Sequence, residues 1–288
     1  TSYFIYLWSI FGTFRKLLKE GFKPDVIHAH VYFAGVPAVI LGYIYRIPVI
    51  ITEHFSGFPL HTLNRLDVFI AKFAINRAKL ILPVSDDLRK HIQSYGIYNK
   101  FKIVPNVVNT ELFHPVSNTY RRATKRMLLV ALLTPKKGVP YLLQALSKLK
   151  KKREDFILDI VGDGPYRSEY EQQTQKLGIT DRVQFHGLKP KEEIAEFMRR
   201  CDFFVLPSLF ETFVVVLIEA LASGKPVIAT SIGGPSEIIT EDVGLLVPPK
   251  DVDALAKAVD YMLDHHQEYS SRKIVQYVLE RYSYESVG

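Results

Sequence analysis

The stretch "FFVLPSLFETFVVVLIEALASGKPVIATS", residues 203–231, decides the fold. It opens with a short apolar run that ends at Pro207 and Ser208, and it closes with a second run, "PVIATS". Continuous apolar runs of this length suit strands buried on both faces of a parallel sheet. Between them residues 213–223 read as a helix. Strand, helix and strand in so few residues make a right-handed βαβ unit. Glu211 and Glu219 enclose seven apolar or β-branched residues, Thr212 to Ile218. Burying a charge is costly unless it has a partner, so these carboxylates either face solvent or hold something.

The alternation continues on both sides. From residue 127 onward the runs "MLLVALL", "FILDIVG", "VQFHG", "FFVLPS", "PVIATS" and "GLLVPP" are separated by "VPYLLQALSKLKKK", "KEEIAEFMRRC" and "DVDALAKAVDYMLDHH", whose apolar residues recur at helical spacing. Upstream, "DVIHAH", "PVIITEH", "LILPVS" and "FKIVPN" are candidate strands, with helices near 2–20, 34–45, 63–78 and 86–95. The polar stretch "NVVNTELFHPVSNTYRRATK" has no clear period and reads as a linker. The expectation is two α/β domains with doubly wound parallel sheets, 1–115 and 116–288.

Composition agrees with globular domains: 288 residues, 48% hydrophobic and 23% charged. The one cysteine, Cys201, excludes an internal disulfide and makes a reducing cytosol the default location. Residues 1–112 carry 13 Lys/Arg against 7 Asp/Glu, a balance of +6, while the rest carries 24 against 23. A basic first half suits an anionic partner or is simply a solvated basic surface. "TSYFIYLWSIFG" is too short for a membrane span, and "VPAVILGYIYRIPVII" is broken by Arg46 and Pro48. The opening lacks the basic flank of a signal peptide, and its Thr1 suggests a fragment or a processed start.

In open α/β sheets ligands bind beyond the carboxyl ends of the strands. The residues there include His28, His30, Glu53, His54, Ser85, Asn106, Thr134 to Gly138, Gly162 to Pro165, Gly187, Ser208 to Glu211, Gly233 and Gly234, a polar and glycine-rich set. A helix from Phe213 to Glu219 rises about 9 Å, roughly the reach of a pyrophosphate between a sugar and a ribose. Its first N–H groups and positive dipole end suit the pyrophosphate itself. One carboxylate can then accept sugar hydroxyls and the other ribose hydroxyls. The plain alternative is a helix-terminal Glu211 and a solvent-facing Glu219.

"PSLFETFVVVLIEALASGKPVIAT", followed by "GGPSEII" and "GLLVPP", closely resembles the retaining glycosyltransferases of family 4, whose fold is GT-B. "PKKGVPYLLQAL", "IVGDGP" and "VQFHG" match the same family in order, as do "IHAH", "VSDDLRKHI" and "VPNVVNTELFHP", so the likeness runs from about residue 24 to 282. It implies two Rossmann-like domains facing a cleft, with a nucleotide-sugar in the second and an acceptor mainly in the first. By motif position Glu211 meets the donor sugar, Glu219 the ribose and Lys137 the diphosphate, a compact point charge suited to phosphate. Neighbouring Lys136 reads as a surface lysine. Leu188 lies at the base through its backbone, and Gly164, Thr212, Phe213, Val214 and Val215 line the donor. His30 sits near the acceptor, and His28 is a core residue or a support behind it. Neither metal nor cofactor is implied. The partners implied are a nucleotide-sugar donor and a glycan, lipid-linked or small-molecule acceptor, with no nucleic-acid module and a peripheral contact with an anionic inner membrane face compatible with the basic first half.

The chain departs from the family in four ways. The strand-end arginine that pairs with phosphate is replaced by Leu132 or Leu133 in "VALLTPKKG". The glycine after "ETF" is Val214, whose β-branched side chain leaves folding intact but puts close approach of the donor, and so activity, in question. The family's first strand and glycine-rich turn are not visible before Thr1, so the first domain is expected to be incomplete. At the other end, "YSYESVG" stands where the family has a final helix. The reading is a retaining, metal-independent glycosyltransferase; the alternative is a non-catalytic member or subunit that binds nucleotide-sugar or glycan without turnover.

Overall fold

The computed structural model describes residues 2–116 and 123–288, with side chains from residue 8 onward. The chain forms two compact units, Thr1–Pro105 and Asn106–Gly288. Among the described residues no helix is long and apolar enough to cross a membrane.

The first unit contains a three-stranded parallel sheet, β1 (Ile27–His30), β2 (Val49–Glu53) and β3 (Leu80–Pro83), in that order. Helices α1 (Ser2–Lys19), α2 (Val31–Tyr45), α3 (Arg65–Arg77) and α4 (Asp86–Ser94) alternate with the strands. Asn64 caps α3 reciprocally with Asp67, and Ser85 caps α4. "FKIVPN", expected as a strand, contributes only a bridge from Phe101 to Ile81. The Ile81 N–H donates to Lys100, and the Lys102 and Val104 N–H groups donate to Ile81 and Pro83. The next bond of this ladder needs an N–H from residue 83, and a proline has none.

The second unit contains β4 (Lys125–Val130), β5 (Phe156–Val161), β6 (Val183–Phe185), β7 (Phe203–Leu206), β8 (Val227–Thr230) and β9 (Gly244–Val247). All pair in parallel, in the order β6-β5-β4-β7-β8-β9. Helices α5 (Val139–Lys150), α6 (Arg167–Lys176), α7 (Lys191–Arg200), α8 (Val215–Ala222), α9 (Gly233–Ile238) and α10 (Val252–His265) link the strands, and α11 (Ser271–Tyr282) and α12 (Tyr284–Val287) follow. The order reverses between β4 and β7, which is the topological switch point of a doubly wound sheet. The quoted stretch supplies β7, α8 and β8. Every residue of α8 from Leu217 to Ala222 is buried, as befits a helix apolar on all sides that packs on the sheet and against α7, α9 and α11.

Two expectations shift. The boundary near residue 115 moves to Pro105–Asn106, because the following segment packs on the second unit. The Val108 N–H donates to the Tyr282 carbonyl, Arg199 donates to the Leu112 carbonyl, and Phe113 is buried in the core formed with α8. The latter part of the expected linker, residues 117–122, lies outside the described residues. The helix expected over 213–223 starts at Val215, since Thr212 and Phe213 form a loop against Gly234. Its helical rise to Glu219 is therefore about 6 Å rather than 9 Å.

Candidate active site

Two loops meet at the switch point. After β4, Pro135–Lys137 makes one 3-10 turn that Gly138 ends with φ 67°. Only glycine fits there: a Cβ at Gly138 would lie 1.9 Å from the Pro207 carbonyl oxygen, in the loop after β7. The Leu209 N–H donates to the Lys136 carbonyl at 2.7 Å and ties the same loops. Gly164 extends this contact to the loop after β5, since a Cβ on it would lie 2.5 Å from the Leu133 oxygen.

This close approach brings Lys137 to Glu211. Lys137 Nζ donates to Glu211 Oε1 at 2.6 Å, and Ser208 Oγ donates to the same oxygen at 2.8 Å. Lys136 Nζ lies 3.8 Å from Glu211 Oε2 and 5.2 Å from the Phe210 ring centre. Glu211 is 5% exposed, so it does not simply face solvent. The Thr230 hydroxyl at the end of β8 donates to the Ser208 carbonyl and anchors the turn from below. Lys136, expected at the surface, is partly exposed and directs its ammonium toward the buried carboxylate. Ser208 was named only as part of a strand end. Its signal is the spacing of three residues from Glu211 across one turn.

The first turn of α8 has no side-chain cap, because its N-cap is Val214. A helix start of this kind leaves amide N–H groups and partial positive charge for other acceptors. Val214 itself is 3% exposed and packs in the apolar core with Val108, Phe113 and Leu217. Its φ of −126° is open to any residue. The Val214 side chain packs into the core beneath the start of α8. Phe213 packs at the edge of the same core, 6.0 Å from the Tyr282 ring. Of the two leucines in the arginine position, Leu133 is fully buried and Leu132 is 63% exposed, so Leu132 is the one that faces outward.

Glu219 is likewise buried, at 3% exposure, and is paired. Its Oε1 accepts from Lys191 Nζ at the start of α7, while Oε2 is buried with no hydrogen-bond partner among the described residues. The solvent-facing reading of Glu219 is therefore wrong. Lys191 was missed; no spacing in the sequence joins residue 191 to residue 219, and packing of α7 on α8 creates the pair. Leu188 follows Gly187, whose carbonyl accepts from the Gly162 N–H at 2.8 Å, and the Leu188 side chain is 81% exposed. Among the described residues no cluster of three or more His, Cys, Asp or Glu side chains is placed to hold a metal ion.

In the first unit, β1 and β2 carry His28, His30 and His54 to one edge. The His28 and His30 rings are 4.8 Å apart, and those of His30 and His54 6.0 Å. His28 Nε2 lies 2.7 Å from Thr52 Oγ1. Burial, then the neighbouring His30, holds His28 and His54 below the usual histidine range. Beneath them Glu53 is fully buried and accepts the N–H groups of Tyr32, His54 and Phe55. Burial outweighs these donors and pushes its carboxyl up to about 7. The bond to Tyr32 secures a turn in which Val31 has φ 61°, a left-handed conformation costly for a β-branched residue.

The fold and the motifs have known counterparts. The chain is 28% identical to an uncharacterized glycosyltransferase of Methanocaldococcus jannaschii, over 98% of this chain and 78% of that protein. It is 27% identical to the glycogen synthase of Mycobacterium tuberculosis, over 85% of this chain and 61% of that enzyme. The structure of Anabaena HepE in complex with UDP superposes with a TM-score of 0.85 at 24% identity, covering 95% of this chain and 79% of HepE. Sucrose-phosphate synthase from Thermosynechococcus elongatus superposes with a TM-score of 0.79, over 95% of this chain and 73% of that one. Residues 2–112 match the family described as Glycosyltransferase Family 4, and residues 113–278 match Glycosyl transferases group 1. With both units matched in order on a pair of Rossmann-like folds, the chain belongs to the group 1 glycosyltransferases of family 4, with the GT-B fold.

Proposed function

We propose that the protein is a retaining, metal-independent glycosyltransferase that moves a hexosyl group from a nucleoside-diphosphate sugar to a hydroxyl of a glycan, glycolipid or small molecule. The observation that carries this reading is the pairing of half-buried Lys137 with buried Glu211 at the switch point, beside the uncapped start of α8. A lysine at hydrogen-bond distance from a buried carboxylate is a cation held ready for an anion. A diphosphate takes the ammonium and the α8 N–H groups as its charge develops, which is electrostatic stabilisation of the leaving group. Glu211, released from Lys137, accepts hydroxyls of the donor sugar and orients it. The acceptor hydroxyl attacks on the face that the diphosphate leaves, so the anomeric configuration is kept. Leu188 and Gly164 serve the nucleotide through backbone, and His30 serves the acceptor.

That HepE binds UDP and UDP-glucose favours a uridine donor here. The non-catalytic alternative rests on the absent arginine, whose position is held by the exposed Leu132, more than on Val214, whose side chain packs in the core. The basic balance of the first 112 residues favours work at an anionic membrane surface on the cytoplasmic side. A thermal-shift panel of UDP-, GDP- and ADP-sugars, followed by NMR of the product anomer, tests the proposal. Stabilisation by one sugar nucleotide and a product of retained configuration are expected. No stabilisation by any of them, or an inverted product, overturns it.

A further inference from the structure

We infer that Lys191 is a positioning residue for nucleotide recognition: it pins one oxygen of Glu219 and keeps the other as an acceptor for ligand hydroxyls. This rests on the donor reading above and deepens it, since it assigns the ribose end of the ligand to a pair rather than to a carboxylate alone.

Glu219 lies in the middle of α8, a helix buried on all sides, where a lone carboxylate is expensive. Among the described residues Lys191 donates to its Oε1, while Oε2 is buried and accepts from nothing. Most buried polar side-chain atoms are hydrogen-bonded; an unpaired carboxylate oxygen in the helix that follows the switch-point loop is placed for a donor that arrives with a ligand. Two vicinal hydroxyls, as on a ribose, are the chemistry that suits a carboxylate with one oxygen pinned.

Lys191 is not where stability alone would put a cation. It is the first residue of α7, at the positive end of the helix dipole, and Pro190 before it offers no side-chain cap. The acidic residues Glu192 and Glu193 occupy the rest of that first turn, as the dipole favours. Lys191 is instead directed by Glu219 and by the Phe113 ring, whose centre is 5.6 Å from Nζ. Its side chain is 55% exposed, so it has the freedom to shift as a ligand enters without unpacking the core. Glu219, at 3%, does not.

The test compares UDP, GDP and ADP with their 2′,3′-dideoxy forms, by calorimetric binding to wild type, Lys191→Met and Lys191→Arg. Wild type is expected to prefer the ribose form of its nucleotide by about tenfold or more, the scale of one hydrogen bond to a charged group. Lys191→Met should lose most of that preference and, by stranding Glu219, unfold at a lower temperature, so binding is compared where it remains folded; Lys191→Arg should retain both preference and stability. Equal preference in Lys191→Met and wild type overturns the role of Lys191 and leaves nucleotide binding intact. Binding by wild type with no preference overturns the assignment of Glu219 to hydroxyls and the inference with it. Binding of no nucleotide by wild type overturns the donor reading itself.

Discussion

Lys137 Nζ donates to Glu211 Oε1 at 2.6 Å across 74 residues of sequence, joining the loops that follow β4 and β7. The pair sits where two halves of one sheet diverge, and Ser208 shares the same carboxylate oxygen. An ion pair with this little exposure is a poor device for stability, because desolvation offsets the Coulomb gain.

Lys137→Met is therefore expected to strand Glu211 and lower stability by about 3 kcal/mol, the lower end of the cost of breaking a buried pair, since Lys136 and Ser208 remain. Transfer should fall by roughly 10² to 10³, as for loss of one preorganised charge contact. Adding Glu211→Gln should recover much of the stability and none of the activity. Urea unfolding and donor turnover on the three variants separate the two effects; recovery of both would make the pair structural.

Gly138→Ala sets a backbone clash against the site. The added Cβ would meet the Pro207 oxygen at 1.9 Å, and φ 67° is strained for alanine. The loss should exceed about 1 kcal/mol, the usual scale when alanine is placed at positive φ. Because the clash parts the loops that carry Lys137 and Glu211, donor affinity should drop with stability, measured by calorimetry at a temperature where the variant is folded. A variant that is less stable yet binds donor normally would uncouple the loops from the site.

Val214→Gly distinguishes crowding from packing. A glycine here removes a fully packed side chain and should cost roughly 2 to 3 kcal/mol, between the losses seen for a single methyl and for a whole leucine. Turnover should not rise. Faster transfer by the glycine variant would show that the valine obstructs the donor.

Much of this was legible in the chain because strands buried on both faces write themselves as unbroken apolar runs, and the helices between them as period-3.6 patterns. The β7–α8–β8 unit could be read from "FFVLPS" to "PVIATS" for that reason. The start of α8 could not, because Val214 is an N-cap with no capping side chain to announce it. Residues 106–113 look polar and loop-like, yet Val108 and Phe113 are core residues of the second unit; two apolar side chains in an irregular segment carry no period. Glu211 and Glu219 stand out by the apolar stretch they enclose, and Lys137 by motif position. Their partners Ser208, Lys136 and Lys191 depend on which loops and helices touch, and that is a property of packing rather than of spacing.

Glu53 gives the first unit a pH signature. Its carboxyl is raised from an ordinary 4.5 to about 7 by burial. A group whose folded value is raised stabilises fully below its unfolded value and loses that contribution as pH climbs to the folded one. Stability should fall by roughly 3 kcal/mol between pH 4.5 and 7 on account of Glu53 alone. His28 and His54, held below their ordinary values, act with the opposite sign, because the unfolded chain takes up their protons first. The bare pH curve of wild type mixes both, so the difference between wild type and Glu53→Gln is the quantity to measure. That difference should change steadily from pH 4.5 to 7 and be flat on either side, followed by chemical denaturation at half-unit steps. Two parallel curves through the window would mean that Glu53 stays ionised on its three backbone donors, and that the strained turn at Val31 is held by charge rather than by a neutral carboxyl.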